Sequence, residues 1–126
     1  MFSMKYLIVF VGGGFGAACR YWMQGVVYAL FGSGFPYGTL SVNVIGSLLI
    51  GLLMSVFEVR FVVQPMLRVF LTIGVLGGFT TFSSFSYETM ALLRDGSYAL
   101  GLLNVAGSVI LCLAATWIGL TAGKLF

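Results

Sequence analysis

The sequence predicts an all-α membrane protein built from four transmembrane helices. The chain has 126 residues, of which 60% are hydrophobic and only 7% charged, whereas about a quarter of the residues in a soluble domain are charged. Each helical crossing of a bilayer needs roughly 20 mostly apolar residues, so this length provides four crossings and short connections. Backbone polar groups in lipid must be satisfied internally, and the runs lack the period-two alternation of barrel strands.

Four apolar runs, each bounded by turn residues or charge, locate the predicted helices. The runs cover about residues 4–31, 37–57, 64–93 and 97–125. The first ends before Gly32, Gly34 and Pro36, which favour a tight connection. The third is interrupted near its middle. We expect one transmembrane domain that covers residues 1–126.

The charged residues argue against a nucleic-acid partner. The net charge is +3, but the charges lie mainly at the ends of apolar runs, so no basic face can neutralise phosphates. The chain has no histidine, the commonest general base and metal ligand. Cys19 and Cys112 lie inside apolar runs, where thiols act as small hydrophobes. We expect neither an enzyme nor a disulfide or metal framework.

The glycines predict close helix packing. Gly12 and Gly16 form a GxxxG pattern, as do Gly119 and Gly123, and small residues at this spacing let transmembrane helices approach each other.

Polar residues inside the apolar runs predict a partner subunit, because a bundle of four helices has little interior in which to bury them. Closed symmetric dimers are the commonest oligomers. The polar residues concerned are Arg20, Asn43, Ser83, Ser84, Glu88, Asn104, Ser108 and Thr116.

The stretch VLGGFTTFSSFSYET, residues 75–89, predicts a broken helix. Gly77 and Gly78 expose backbone, and the hydroxyls of Thr80 and Thr81 compete for its hydrogen bonds, so we expect a break near residues 75–80. Non-helical backbone at membrane depth is tolerated only when it is buried or lines a wet cavity, and its carbonyls often coordinate a cation. A kinked but solid packing helix is the alternative.

After the break, a restarted helix places Thr81, Ser84 and Glu88 on one stripe, with Phe82 and Phe85 on the neighbouring face. Phenyl rings have a positive edge, which can stabilise a small anion without a formal charge. Such weak binding suits conduction, because the ion must also leave. The alternative is that these two aromatic residues belong only to the packed core.

Two further runs carry polar stripes. Asn104, Ser108, Cys112 and Thr116 recur every four residues, and Thr39 and Asn43 have the same spacing. Any one of these side chains could simply join two helices. Three stripes in so short a chain favour a polar track.

Two ionisable residues lie in the apolar runs with open roles. Arg20 is expensive at a helix centre; it either extends to the interface or faces a wet vestibule, where its charge attracts anions. Glu88 pairs with a cation, gates protons, or is a surface carboxylate at a helix end.

Three motifs carry a resemblance to a known family. They are GGFGAACRY (residues 13–21, preceded by Gly12), GTLSVNVIGS (residues 38–47) and GVLGGFTTFSSFSYE (residues 74–88). The chain resembles the Fluc family of bacterial fluoride channels, also called CrcB, over nearly its whole length.

The resemblance implies a dual-topology, antiparallel homodimer in the bacterial inner membrane, with two fluoride pores and a sodium ion at the centre of the interface. Asn43, Phe82 and Phe85 would line the pores, and Ser108 would face them. The carbonyls of Gly77 and Thr80 would hold the sodium ion. The hydroxyl track would contain Ser83, Ser84 and Thr116.

Two features depart from the family pattern. Cys112 stands where some relatives have a serine of the track, and a thiol is a weaker donor. Lys5, Arg60, Arg68 and Lys124 would lie on one side of the membrane and Arg94 on the other, a bias that favours one orientation. A subunit of fixed orientation that pairs with an inverted homologue is therefore an alternative to the homodimer.

We therefore expect a fluoride-selective channel that passively exports cytoplasmic fluoride. The alternative is an exporter of the small multidrug-resistance type, similar in length and helix count, which exchanges protons for lipophilic cations at an acidic residue of its first helix. The only ionisable group deep in this first run is Arg20. A third interpretation is an assembly subunit without transport activity.

Overall fold

The computed structural model describes residues 3–59 and 64–125. Over these ranges the chain is helical apart from short connections and contains no strand, so the predicted all-helical class is confirmed. The elements are α1 (Met4–Phe31), α2 (Tyr37–Val59), α3 (Pro65–Val69), a π-helical segment (Phe70–Val75), α4 (Leu76–Phe79), α5 (Phe82–Arg94) and α6 (Tyr98–Gly123). We call Pro65–Arg94 the third span.

Three helical stretches of the described chain are long and apolar enough to cross a membrane. They are Tyr37–Glu58, the third span and α6. The 28-residue α1 is long enough, but it is not one of the three, because residues such as Lys5, Arg20 and Gln24 lower its hydropathy. Membrane insertion thus has structural support, and a fourth crossing by α1 stays a prediction.

Two glycines with positive φ lie in the short connections that follow α1 and α5. Gly32, at φ 80°, follows α1 and donates its N–H to the Tyr28 carbonyl. Gly96, at φ 81°, lies between α5 and α6. Only glycine adopts this backbone region without a steric penalty.

Arg60, one of the basic residues in the predicted charge bias, lies outside the described residues.

The most extensive helix pair is α2 with α6. Gly51 faces the Thr116 carbonyl and Gly119 faces the Leu48 carbonyl, each so closely that a Cβ atom would not fit. Val42 of α2 is completely buried. The close packing predicted from Gly119 and Gly123 is therefore confirmed.

Helix α1 packs against the third span in the same manner. A Cβ atom on Gly12 would lie 2.9 Å from the Phe70 carbonyl and 3.1 Å from the Gly74 Cα, so this glycine contacts the π-helical segment directly. Gly16 meets the Val75 carbonyl, and Gly78 meets Gly13. π-Helical turns inside helices frequently mark functional regions, and the sequence patterns did not predict this one.

The third span breaks at Thr80 and Thr81, both extended, with φ/ψ values of −89°/158° and −151°/116°. The predicted break is confirmed and falls on the two threonines that the prediction included, whereas Gly77 and Gly78 are helical, within α4. Gly78 is needed for close contact with Gly13, and the β-branched threonines supply the extended backbone. A solid, merely kinked helix is excluded.

Few large apolar side chains are buried. In the described part of the chain, the buried apolar residues are Val42, Leu76, Phe79 and the small Ala115. Many of the aromatic and aliphatic side chains on α1, α5 and α6 face outward instead. An apolar exterior of this extent fits contact with lipid or with another subunit.

Candidate ion pathway

Asn43 of α2 holds the break in the third span. Its Nδ2 donates to the Thr81 carbonyl at 3.0 Å, and its Oδ1 accepts from the Thr81 N–H at 2.8 Å. The side-chain amide thus satisfies both backbone groups of one extended residue, which an Asn can do because it has a donor and an acceptor side by side. In a continuous helix the Thr81 N–H would bond to Gly77. The break therefore frees the Gly77 carbonyl.

Thr81 also starts α5. Its Oγ1 accepts from the Ser84 N–H at 3.1 Å, which is the usual role of an N-cap threonine. The same oxygen lies 3.1 Å from Ser84 Oγ and 3.3 Å from Ser83 Oγ. Three hydroxyl groups therefore form one cluster at the start of α5.

An open groove of about 460 Å³ runs along the break, and we call it the Phe82 groove. Its lining includes Asn43, Thr72, Gly77, Thr80, Thr81, Phe82, Phe85, Ser108 and Cys112. The rings of Phe82 and Phe85 are 5.2 Å apart, centroid to centroid, and tilted by 43°. Phe82 is 76% exposed, whereas Phe85 is half-buried, so the Phe82 ring is the uncovered part of this aromatic wall.

A second groove, of about 510 Å³, begins where the hydroxyl cluster ends, and we call it the Glu88 groove. It is lined by Gln24, Tyr28, Thr39, Ser83, Ser84, Tyr87 and Glu88. The Tyr28 hydroxyl donates to Glu88 Oε2 at 3.1 Å, and Gln24 Nε2 donates to Thr39 Oγ1 at 3.1 Å. Among the described residues, no donor reaches the buried Glu88 Oε1.

The predicted site residues are thus divided between two grooves. Asn43, Phe82, Phe85 and Ser108 lie in the first, and Ser83, Ser84 and Glu88 lie in the second. Glu88 is half-buried, unlike the surface carboxylate of the alternative interpretation.

Thr116 and Arg20 line neither groove. The Thr116 hydroxyl donates to the Ser47 carbonyl at 3.0 Å and joins α6 to α2. Arg20 Nε donates to the Gly78 carbonyl at 3.0 Å. A charged donor gives a stronger hydrogen bond than a neutral one, so Arg20 fastens α1 to the last turn before the break.

Gly77 and Thr80, whose carbonyls the family resemblance assigns to a sodium ion, lie in and directly after the last helical turn before the break. Both residues line the Phe82 groove, and the N–H that would normally bond to Gly77 bonds to Asn43 instead. In the described part of the chain, no cluster of three acidic, cysteine or histidine side chains could hold a metal ion. Backbone carbonyls at interrupted membrane helices are a common kind of cation ligand.

Sequence reasoning did not identify Gln24, Tyr28 or Thr89 as candidate site residues. Gln24 and Tyr28 are four residues apart on one side of α1, and that spacing was a usable signal. Thr89 follows Phe85 by four residues in α5 and donates to its carbonyl at 2.8 Å.

Comparison with known families identifies the chain. The family model described as "CrcB-like protein, Camphor Resistance (CrcB)" matches residues 7–120. The chain belongs to the CrcB family. The resemblance carried by the three motifs is thereby confirmed, and the grooves described above are those of a CrcB-family chain.

Similar CrcB relatives share about half of their residues with this chain. The "Fluoride-specific ion channel FluC" of Geotalea daltonii is 50% identical over 119 residues, which cover 93% of this chain and 96% of the relative. The protein of the same name in Citrifermentans bemidjiense is 52% identical over 113 residues, 89% of this chain and 90% of the relative. That of Magnetococcus marinus is 47% identical over 122 residues, 97% and 99% of the two chains.

Proposed function

We propose that this chain is the subunit of a fluoride-selective channel, not an enzyme, that exports cytoplasmic fluoride passively across a bacterial inner membrane. The names of the CrcB relatives support the ion, and three helices of spanning length support the location. In the proposal, α1 is the fourth crossing and residues 1–126 form one transmembrane domain.

The observation that carries the proposal is the Phe82 groove. Its walls offer two phenyl rings from α5 beside the Asn43 amide and the Ser108 hydroxyl. Asn43 uses one N–H on the Thr81 carbonyl, and an amide nitrogen has a second. An anion that has lost water can therefore meet ring edges and neutral donors together. These contacts bind weakly enough for release.

The hydroxyl cluster gives the ion a route between the grooves. Thr81 lines the Phe82 groove, and Ser83 and Ser84 line the Glu88 groove. Because hydroxyl protons rotate freely, each group can turn its donor towards a passing anion. The ion would move from the rings of Phe82 and Phe85, across the cluster, into the second groove.

Arg20 and Glu88 would act on the ion at a distance. Arg20 places a positive charge beside the break through its bond to Gly78, which favours anions nearby. Glu88 places a carboxylate in the second groove; its charge disfavours anion binding there, so it would promote exit.

A second copy of this chain, inverted, would complete the pathway as an antiparallel homodimer. The exposed ring of Phe82 and the open Phe82 groove support such a partner. An inverted homologue would cover the same surface, and it would suit the unequal placement of basic residues.

In the dimer, a sodium ion would be held by the carbonyls of Gly77 and Thr80. The support is that both residues line the groove at the break and that Gly77 has lost its helical donor. The ion would supply a fixed positive charge that neutralises these carbonyl dipoles.

The test is efflux from liposomes that contain the purified protein. Fluoride should leave down its gradient, recorded with a fluoride electrode, while chloride release stays near the protein-free background. Equal chloride release would contradict selectivity, and absence of fluoride release would contradict the channel. Proton-coupled uptake of a lipophilic cation would instead support the small multidrug-resistance alternative.

A further inference from the structure

We infer that Asn104 is a positioning residue for the ion pathway, which ties the Ser108 hydroxyl on α6 to the Phe85 carbonyl on α5 through Thr89. This role rests on the proposed function and adds residues that the family motifs do not contain. Asn104 is 2% exposed and lines neither groove.

Three consecutive hydrogen bonds link the Ser108 hydroxyl to the Phe85 carbonyl. Ser108 Oγ donates to Asn104 Oδ1 at 3.4 Å. Asn104 Nδ2 donates to Thr89 Oγ1 at 2.9 Å, and Thr89 Oγ1 donates to the Phe85 carbonyl at 2.8 Å. All donors point the same way, from the groove wall of α6 to the groove wall of α5.

Asparagine is suited to the middle of this chain. Its amide accepts at one atom and donates at the other, so it can join two hydroxyl groups that lie on different helices. Ser108 and Thr89 are each 8% exposed, and buried polar groups without partners cost about 1–3 kcal/mol. The network therefore fixes how the side chains of α5 and α6 face each other.

The first bond affects the ion directly. Ser108 has a single hydroxyl proton, and Ser108 lines the Phe82 groove. An anion in the groove would compete with Asn104 for that proton. At 3.4 Å the bond to Asn104 is long and hence weak, so the proton can turn towards the ion and afterwards return to Asn104.

The last bond affects the aromatic wall. Thr89 bonds to the carbonyl four residues earlier, and such bonds from threonine bend a helix slightly. Helix α5 packs on α6 less extensively than α2 does. The buried hydrogen bond between Asn104 and Thr89 therefore contributes much to the relative orientation of α5 and α6. Asn104 therefore influences the direction in which Phe85 and its neighbour Phe82 present their rings.

The test is a double-mutant cycle on fluoride efflux from liposomes. Asn104→Ala and Ser108→Ala should each lower the efflux rate about tenfold, the equivalent of one buried hydrogen bond. Because Asn104 and Ser108 belong to one hydrogen-bonded network, the double variant should lose clearly less than the roughly hundredfold product of the two single losses. A loss of about a hundredfold, or unchanged rates in the single variants, would overturn the role.

Thr89 provides a second arm in case Asn104→Ala does not fold. Thr89→Val keeps the shape but removes the hydroxyl, and we expect about tenfold slower efflux; Thr89→Ser keeps the hydroxyl and should stay within about twofold of the parent. The matched control is Thr121→Val, because Thr121 makes the same bond to a carbonyl four residues earlier on an exposed face. Equal efflux for Thr89→Val and the parent chain would overturn the proposal.

Folding and function are separated within the same experiment. Each variant is reconstituted only from the gel-filtration peak of the parent protein, so the efflux rate refers to folded protein. No efflux from the parent chain would overturn the proposed channel together with the role of Asn104. If the parent chain transports fluoride and the losses in the single variants simply multiply in the double variant, only the role of Asn104 is overturned.

Discussion

The α2–α6 pair and the third span both contain glycines and hydroxyl-bearing residues, but these residues have different roles in the two regions. In the pair, glycines bring the helices into contact, and the Thr116 hydroxyl is taken up by the Ser47 carbonyl of the neighbouring helix. In the third span, the backbone breaks at Thr80 and Thr81, and hydroxyl groups gather where two grooves meet. The Thr116 hydroxyl is thus used up in a contact between helices, whereas the break leaves several hydroxyl groups clustered beside an open groove.

The α2–α6 contact should fail when a methyl group is added at its closest point. Gly119→Ala places a Cβ against the Leu48 carbonyl, and overpacking typically costs about 1–3 kcal/mol, occasionally more. We expect a large drop in the thermal unfolding temperature of the detergent-solubilised protein. Gly107→Ala is the control, because nothing lies within 4 Å of its added Cβ. Equal stability of the two variants would contradict the close packing.

The break should depend on Asn43. Asn43→Ala leaves the Thr81 N–H and carbonyl without their side-chain partner, and each unpaired buried group costs about 1–3 kcal/mol. We expect fluoride efflux to fall about ten- to a hundredfold. The control is Ser41→Ala, whose hydroxyl bonds only to a carbonyl of its own helix on an exposed face. Efflux at the parent rate in Asn43→Ala would show that the break needs no such support.

Substitution by alanine should cost different amounts of stability at Gly77 and Gly78, although the sequence pattern predicts the same role for both. An added Cβ at Gly78 meets Gly13, whereas one at Gly77 has its nearest neighbour 4.0 Å away. Gly78→Ala should therefore destabilise the protein by about 1–3 kcal/mol, and Gly77→Ala should be neutral or gain a little helix propensity. Thermal unfolding of both variants measures this. A larger loss in Gly77→Ala would restore Gly77 as the cause of the break.

Thr116→Val should have the smallest effect of these substitutions. It distinguishes a contact between helices from a place in the hydroxyl track. Because its hydroxyl bonds to Ser47 outside both grooves, Thr116→Val should lower stability by about 1 kcal/mol and leave fluoride efflux within about twofold. Parallel unfolding and efflux measurements on one preparation test this. Normal stability with strongly reduced efflux would instead assign Thr116 to the hydroxyl track that the family resemblance implies.

Periodicity and composition were sufficient for the helical class and for the existence of the break. The pattern that places Ser84 and Glu88 on one stripe also predicted residues that line one groove. These features are local, because they depend on residues within a few turns of the same helix.

Features that depend on packing between distant segments were not predictable. Arg20 bonds to Gly78, 58 residues away, and nothing near either residue indicates the other. The extended conformation of Thr81 is held by Asn43, 38 residues earlier in the chain, and the threonine pattern does not indicate this partner. The π-helical segment likewise lies where Gly12 of α1 makes contact.

Efflux through a Phe82 variant tests most directly whether the broken third span is the ion pathway. Phe82→Ile removes the ring but keeps an apolar side chain at a 76% exposed position, so the fold should be preserved. Phe10→Ile is the matched control on α1, at 77% exposure. We predict fluoride efflux at least about tenfold slower for Phe82→Ile, and parent rates for Phe10→Ile. Parent rates for Phe82→Ile would contradict the assignment of the pathway.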